Sequence, residues 1–142
     1  MRFWDSSAIV PLLVDESSTA AVLADYLRDP DVIVWWATEV ECVSALARLE
    51  REGSMTTPGM TEALDRLDQL ALAWHEVQPT ARTRQVAIRL LRTHGLRAAD
   101  AFQLAAAIAA AEDGPESMPL VTLDARLATA AEREGFRVIG AG

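Results

Sequence analysis

Four acids far apart in the chain, Asp5, Glu41, Asp100 and Asp124, are the residues whose types and places can do chemistry together. Hard divalent cations such as Mg²⁺ take oxygen ligands, bind directly to one or two carboxylates and keep several waters. An ion held that way neutralises a phosphodiester and lowers the pKa of a bound water; a pair of them steadies both oxygens of an in-line displacement. Acids meeting in one cleft therefore point to metal-dependent phosphodiester hydrolysis. Each acid also has a structural reading. Asp5 precedes a helix beginning at Ser6, where an Asp cap is common, and Asp124 in TLDARL is a similar cap. Thr38-Glu39-Val40-Glu41 reads as a T-x-x-E capping box. Asp100 is a first-turn acid three residues after Arg97, and Thr122 reads equally well as an ordinary strand residue.

The neighbours help to weigh these readings. Asp100 lies in LRAADAFQLAAAIAAA, where Ala98, Ala99, Ala101, Phe102 and Leu104 leave almost no polar face around it. A carboxylate in such a place needs a cation or several hydrogen-bond donors. Glu41 competes with Glu39, but two positions on a helix point to nearly opposite sides. Ser44, Ala45 and Arg48 share Glu41's row and suit a polar cleft, whereas Glu39 shares its row with Val43 and Leu46.

These residues need elements to position them. Arg2 to Trp4 and VIVWW (32–36) read as strands, each followed by a helical pattern. Ser17 and Ser18 cap a helix through Arg28, and Thr38 caps another that Gly53 stops. Thr57-Pro58 opens a helix whose leucines at 64, 67, 70 and 72 keep one face apolar. Trp74 to Val77 is a short strand candidate. Thr80 caps a helix to His94, the Ala-rich helix follows, and the chain closes with PLVTL, DARLATAAERE and FRVI as strand, helix and strand. Strands alternating with helices predict an α/β fold with a mostly parallel sheet covered on both faces. In such sheets, sites form beyond the carboxyl ends of the strands, where Asp5 and Asp124 fall. The length of 142 residues predicts one domain over 1–142.

Composition narrows the classes. The lone Cys42 excludes an internal disulfide and a Cys-based zinc site, and His75 and His94 lack ligand spacing, so a metal must be held by oxygen. The amino end fits neither a signal peptide nor a spanning helix, which predicts a cytoplasmic protein without membrane contact. MRFWDSSAIV contains no glycine, which excludes a P-loop or dinucleotide loop after the first strand. A net charge of −8 argues against loose nucleic-acid binding, and all basic residues are Arg. Yet no acid occurs from Val77 to Ala99, where Arg82, Arg84, Arg89, Arg92 and Arg97 concentrate. That stretch is a candidate for phosphate contacts or a solvated helix face. Trp4 and Trp35 are expected in the core, Trp36 and Trp74 are open, and the histidines are expected at the surface or at helix ends.

Four blocks, RFWDSSAIVPLLVDE, EVECVSALARLEREG, LRAADAFQLAAAI and LVTLDARLATAAEREGFRVI, resemble the PIN-domain family, and within it the VapC-type toxins of bacterial toxin–antitoxin pairs. They stand in the family's order and span nearly the whole chain. The resemblance implies a small α/β/α sandwich around a parallel sheet and a Mg²⁺- or Mn²⁺-dependent endoribonuclease. Asp5, Glu41, Asp100 and Asp124 match the family's acidic quartet, of which the fourth member varies, and Ser6 and Thr122 match supporting hydroxyl positions. It further implies an RNA substrate, a VapB-type antitoxin whose carboxy-terminal segment crosses the acidic cleft, and a homodimer. A housekeeping RNA-processing nuclease and a catalytically silent PIN-like binding module are the alternatives. Residues 54 to 94 carry no motif of the family.

Overall fold

The computed structural model describes residues 1–140. The chain runs β1 (Arg2–Trp4), α1 (Ser6–Leu13), α2 (Thr19–Arg28), β2 (Val32–Trp35), α3 (Thr38–Arg51), α4 (Thr57–Ala73) and β3 (His75–Val77). It continues with α5 (Ala81–Thr93), α6 (Ala98–Ala110), a 3₁₀ turn at Pro115–Ser117, β4 (Leu120–Thr122), α7 (Ala125–Arg133) and β5 (Val138–Gly140). The five strands lie in the order β3-β2-β1-β4-β5, and every neighbouring pair is parallel. The predicted mostly parallel α/β sandwich is thus parallel throughout the described residues.

The period-two alternation of a strand splits the core between two faces. Phe3 and Leu120 join one cluster with Leu90 of α5, Leu104 of α6 and Leu127 of α7. Trp4 and Val121 join the other with Ile9 and Leu13 of α1, Leu46 of α3 and Leu67 of α4. The alanines of α6 have a geometric task. Ala101, Ala105, Ala106 and Ala107 are buried, and side chains this small let the helix approach both the sheet and α5 closely. Enlarging one of them would overpack that layer, at a cost of about 1–3 kcal/mol.

Topology places the site. The chain moves outward from β1 through β2 to β3, then returns to lay β4 on the other side of β1. The order therefore reverses between β1 and β4, the switch point where parallel sheets open a crevice beyond their carboxyl ends. Asp5 directly follows β1, and Asp124 lies two residues beyond β4.

Helix starts differ from expectation in two places. Thr38 does not cap α3: Ala37 is the N-cap, and the Thr38 hydroxyl is fully buried and accepts from Gln103 Nε2 at 3.1 Å. Its capping-box partner Glu41 is drawn elsewhere, as described below. Ser18 is the N-cap residue of α2 but makes no side-chain cap bond, whereas the Thr19 hydroxyl accepts from Glu16 N at 2.9 Å and donates to Pro11 O at 2.8 Å. Thr80 caps α5 as expected, Thr56 just before the expected Thr57-Pro58 opening caps α4, and Gly53 ends α3 at φ +76°, a left-handed conformation that glycine adopts without penalty.

Candidate active site

An open cleft of about 480 Å³ lies at this switch point, and Asp5, Glu41, Asp100 and Asp124 all line it. Ser6, Ser44, Ala45 and Arg48 line it too, so the polar row chosen for Glu41 does face the cleft. Asp5 caps α1 and is the most buried of the four acids. Its Oδ2 accepts from the Thr122 hydroxyl at 2.8 Å, the Ser7 hydroxyl at 2.5 Å and the Ser7 backbone N–H at 3.3 Å. Burial nevertheless raises its pKa; these hydrogen bonds oppose the rise and the charge of Asp124 adds to it.

Ser7 was not singled out in the sequence, yet it ties the ends of β1 and β4 together. Besides bonding Asp5, its oxygen lies 3.2 Å from the Thr122 hydroxyl and accepts from Leu123 N at 2.9 Å. Thr122 supports the acids as expected, and its oxygen also accepts from Asp124 N at 3.0 Å. The expected Ser6 hydroxyl serves a different acid. It donates to Glu41 Oε1 at 3.1 Å, while its separation from Asp5 Oδ1 is 3.5 Å.

Glu41 is held from two sides, by Ser6 on Oε1 and by Gln103 Nε2 on Oε2 at 3.1 Å. Gln103 is fully buried on α6, three residues after Asp100, and bridges α6 to α3 through Thr38 and Glu41. The sequence hid it inside the Ala-rich run, where a lone amide is the signal to follow: a buried amide must find partners. Burial, and then the charges of Asp5 and Asp100, push the Glu41 carboxyl up to about 7, against the two hydrogen bonds.

Asp100 sits in the first turn of α6, half-buried, and accepts no protein hydrogen bond among the described residues. Burial raises its pKa, and the charges of Asp124 and Asp5 add to the rise. The candidate pairing with Arg97 does not form within 4 Å, although Arg97 lines the cleft and its charge pulls the other way. Asp124 caps α7, with Oδ1 accepting from Leu127 N at 2.9 Å. Capping and a place in the cleft are thus compatible for both Asp5 and Asp124.

Four acids share this cleft, and none of them is ion-paired among the described residues. Like charges so placed favour a cation. Among the described residues no three His, Cys, Asp or Glu side chains converge closely enough to hold a metal unaided. That arrangement suits an ion such as Mg²⁺, which takes few protein carboxylates and keeps its waters, better than a closed protein cage.

The arginine stretch divides. Arg97 reaches the acidic cleft, Arg82 lines a separate cavity between α5 and α6, and Arg84 and Arg92 are exposed. Arg89 bonds Glu134 at 2.9 Å. His94 ends α5 as expected but is buried rather than superficial, because its Nε2 meets Glu134 at 2.8 Å. Trp4, Trp35 and Trp74 are buried, and Trp36 is 51% exposed.

The PIN domain family model matches residues 2–133. Ribonuclease VapC45 of Mycobacterium tuberculosis is 31% identical over 136 residues, covering 96% of this chain and 92% of that protein. Among solved structures, M. tuberculosis VapC20, a sarcin-ricin loop cleaving toxin, aligns with a TM-score of 0.70 at 16% identity over 96% of each chain. VapBC2 from Rickettsia felis, bound to a promoter DNA fragment, aligns with a TM-score of 0.64 at 13% identity over 97% of this chain and 96% of that one. With a parallel sandwich, an acidic cleft at its switch point and these matches over nearly its full length, the chain belongs to the PIN-domain family of VapC ribonucleases.

Proposed function

We propose that residues 1–142 act as one PIN domain, a Mg²⁺- or Mn²⁺-dependent endoribonuclease toxin of a toxin–antitoxin pair. The observation that carries the reading is the meeting of Asp5, Glu41, Asp100 and Asp124 in one cleft with none of them ion-paired among the described residues, although Arg48 and Arg97 also line it. A bound divalent ion would supply charge stabilisation at phosphoryl oxygens and acidify a water. Asp5 and Asp100 are assigned as its most direct ligands, with Glu41 and Asp124 helping to orient it and its water.

The chain's own residues prepare that task. The Ser7 and Thr122 hydroxyls fix Asp5 Oδ2, so this carboxylate reorganises little when substrate arrives. Asp100, without protein donors, has both oxygens available, and the buried alanines of α6 hold it in place. Gln103 and Ser6 orient Glu41.

The partners in this reading are RNA, a VapB-type antitoxin and a second copy of the chain, met in the cytoplasm. No described helix is long and apolar enough to cross a membrane. Exposed Trp36, Val40 and Val43 on and beside α3, and Leu23 and Leu27 on α2, are apolar surface of the kind that partners cover. The toxin role is tested by expression in a bacterium together with an assay of its RNA. Growth should stop as RNA is cut, and a small protein encoded beside the toxin should restore it. Growth at the normal rate with RNA cleavage intact in vitro would favour the housekeeping nuclease instead.

A further inference from the structure

Beside the acidic cleft runs a groove of about 340 Å³ between the α5–α6 junction and α7, lined by His94, Gly95, Ala125, Arg126, Thr129 and Arg133. We propose that this groove is a track for the sugar-phosphate backbone of the RNA strand entering or leaving the cleft, with Arg126 and Arg133 as its phosphate contacts. The proposal rests on the ribonuclease reading above and adds to it the route of the substrate.

Continuity is the first argument. Asp124, which lines the cleft, is the N-cap of α7, and Ala125 and Arg126 directly after it line the groove. Arg126 and Arg97 both act electrostatically on Asp100, so the positive side chains begin where the acids end. Residues 126, 129, 130 and 133 stand at i, i+3, i+4 and i+7, which puts them on one face of α7. Arg126 and Arg133 are thereby separated by about 10 Å along the helix axis.

Charge is the second. No acidic side chain lines the groove, and neither Arg126 nor Arg133 is ion-paired among the described residues, in a protein of net charge −8. The acid beside Arg133 in sequence, Glu134, is already occupied: Oε1 accepts from Arg89 Nη2 at 2.9 Å and Oε2 lies 2.8 Å from His94 Nε2. This cluster joins the end of α5 to the end of α7, which fixes the groove's walls and leaves Arg133 uncompensated. A cleft of four acids repels phosphate, so a polyanionic substrate needs a cationic hold close by. Guanidinium groups match phosphate oxygens in geometry as well as charge.

The lining also defines what is recognised. Gly95, Ala125 and Ala130 offer no hydrogen-bonding side chain, and the Thr129 hydroxyl is spent on Ala125 O at 3.0 Å. No Phe, Tyr or Trp lines the groove for base stacking, while the one ring there, His94, is buried with its Nε2 engaged by Glu134. The track therefore reads backbone charge and not base identity.

The test uses Arg126→Gln and Arg133→Gln together in the full chain, with a fluorescent single-stranded RNA followed both by cleavage and by equilibrium anisotropy across a salt series. KM and the dissociation constant should rise about ten-fold at moderate salt while kcat stays within about two-fold. The log–log salt slope should flatten by about 1.4, from two single-strand phosphate contacts at about 0.7 each. Unchanged KM and slope in a protein that cleaves RNA would overturn the track and leave the nuclease reading standing. Arginine-dependent, salt-sensitive RNA binding by a wild type that fails to cleave would support the track and remove the nuclease reading. Loss of antitoxin binding with RNA affinity unchanged would assign the groove to an acidic protein segment and overturn the proposal.

Discussion

Asp100→Asn is expected to lower kcat/KM for RNA cleavage on the order of 10³-fold while the melting temperature stays no lower than that of the wild type. The rate loss follows from removing a charge that holds the divalent ion, whose stabilisation of the reacting phosphoryl oxygens amounts to several kcal/mol, at about 1.4 kcal/mol per decade of rate. The neutral effect on folding follows from the environment. The carboxylate makes no protein hydrogen bond among the described residues, and burial with two neighbouring acids already disfavours its charge. Asn keeps the shape and removes the repulsion. Asp5→Asn would be a less clean experiment, because Asp5 also caps α1 and organises Ser7 and Thr122. Kinetics and a thermal melt on the same Asp100→Asn preparation check the point. Cleavage at the wild-type rate would remove Asp100 from the site.

Glu41→Gln is expected to stabilise the cation-free protein at pH 8 and to impair cleavage. The Glu41 carboxyl stands at about 7 in the folded chain against an ordinary value of 4.5. Between those values the folded state binds more protons than the unfolded one, so stability falls as pH rises through this window. Allowing for the side chain's partial exposure, removing the ionised group recovers about 1 kcal/mol, or about 3 °C in melting temperature. The amide can keep both contacts, its oxygen accepting from Gln103 Nε2 and its N–H donating to the Ser6 hydroxyl oxygen, which can turn its own proton toward Asp5, so the gain is not offset by an unpaired donor. Melts in EDTA at pH 5 and pH 8 show the effect as a wild-type loss at the higher pH that the variant reduces. Equal melting temperatures for wild type at both pH values would contradict it. The same mutation should cost activity, the usual exchange where a strained site has been kept for its chemistry.

Much of this was legible in the sequence because it follows local rules. The helices from Thr57, Thr80 and Ala98, and the strands around Phe3, Ile33 and Val121, carry periodicity and stop signals that the structure obeys. The four acids were legible as positions after strands and early in helices, which a parallel sheet brings to one edge. What escaped depends on tertiary neighbours. The Thr38 capping box has a sound local signature, but packing against α6 and α1 gives both of its side chains better partners in Gln103 and Ser6. Ser7 has no signature beyond standing two residues after Asp5, and its role arises only when β4 is laid beside β1.

The arginines show the same limit. An acid-free stretch groups Arg82 to Arg97 in sequence, but the α5–α6 packing disperses them, and Glu134, distant in sequence, captures Arg89. Arg126 and Arg133, separated by a glutamate in a mixed-charge helix, give no run to notice. Their common face appears only with the helical period and with the groove beside it.

The central claim, that these acids make the protein a divalent-metal endoribonuclease, is tested most directly with purified protein and a single-stranded RNA. Cleavage is followed after EDTA treatment, after Mg²⁺ or Mn²⁺ is restored, and in Asp100→Asn. The account predicts internal cuts only with the metal restored, none above background in the variant, and no 2′,3′-cyclic phosphate ends, because water rather than the 2′-hydroxyl attacks. Cleavage that persists in EDTA, or cyclic phosphate ends from the wild type, would contradict it.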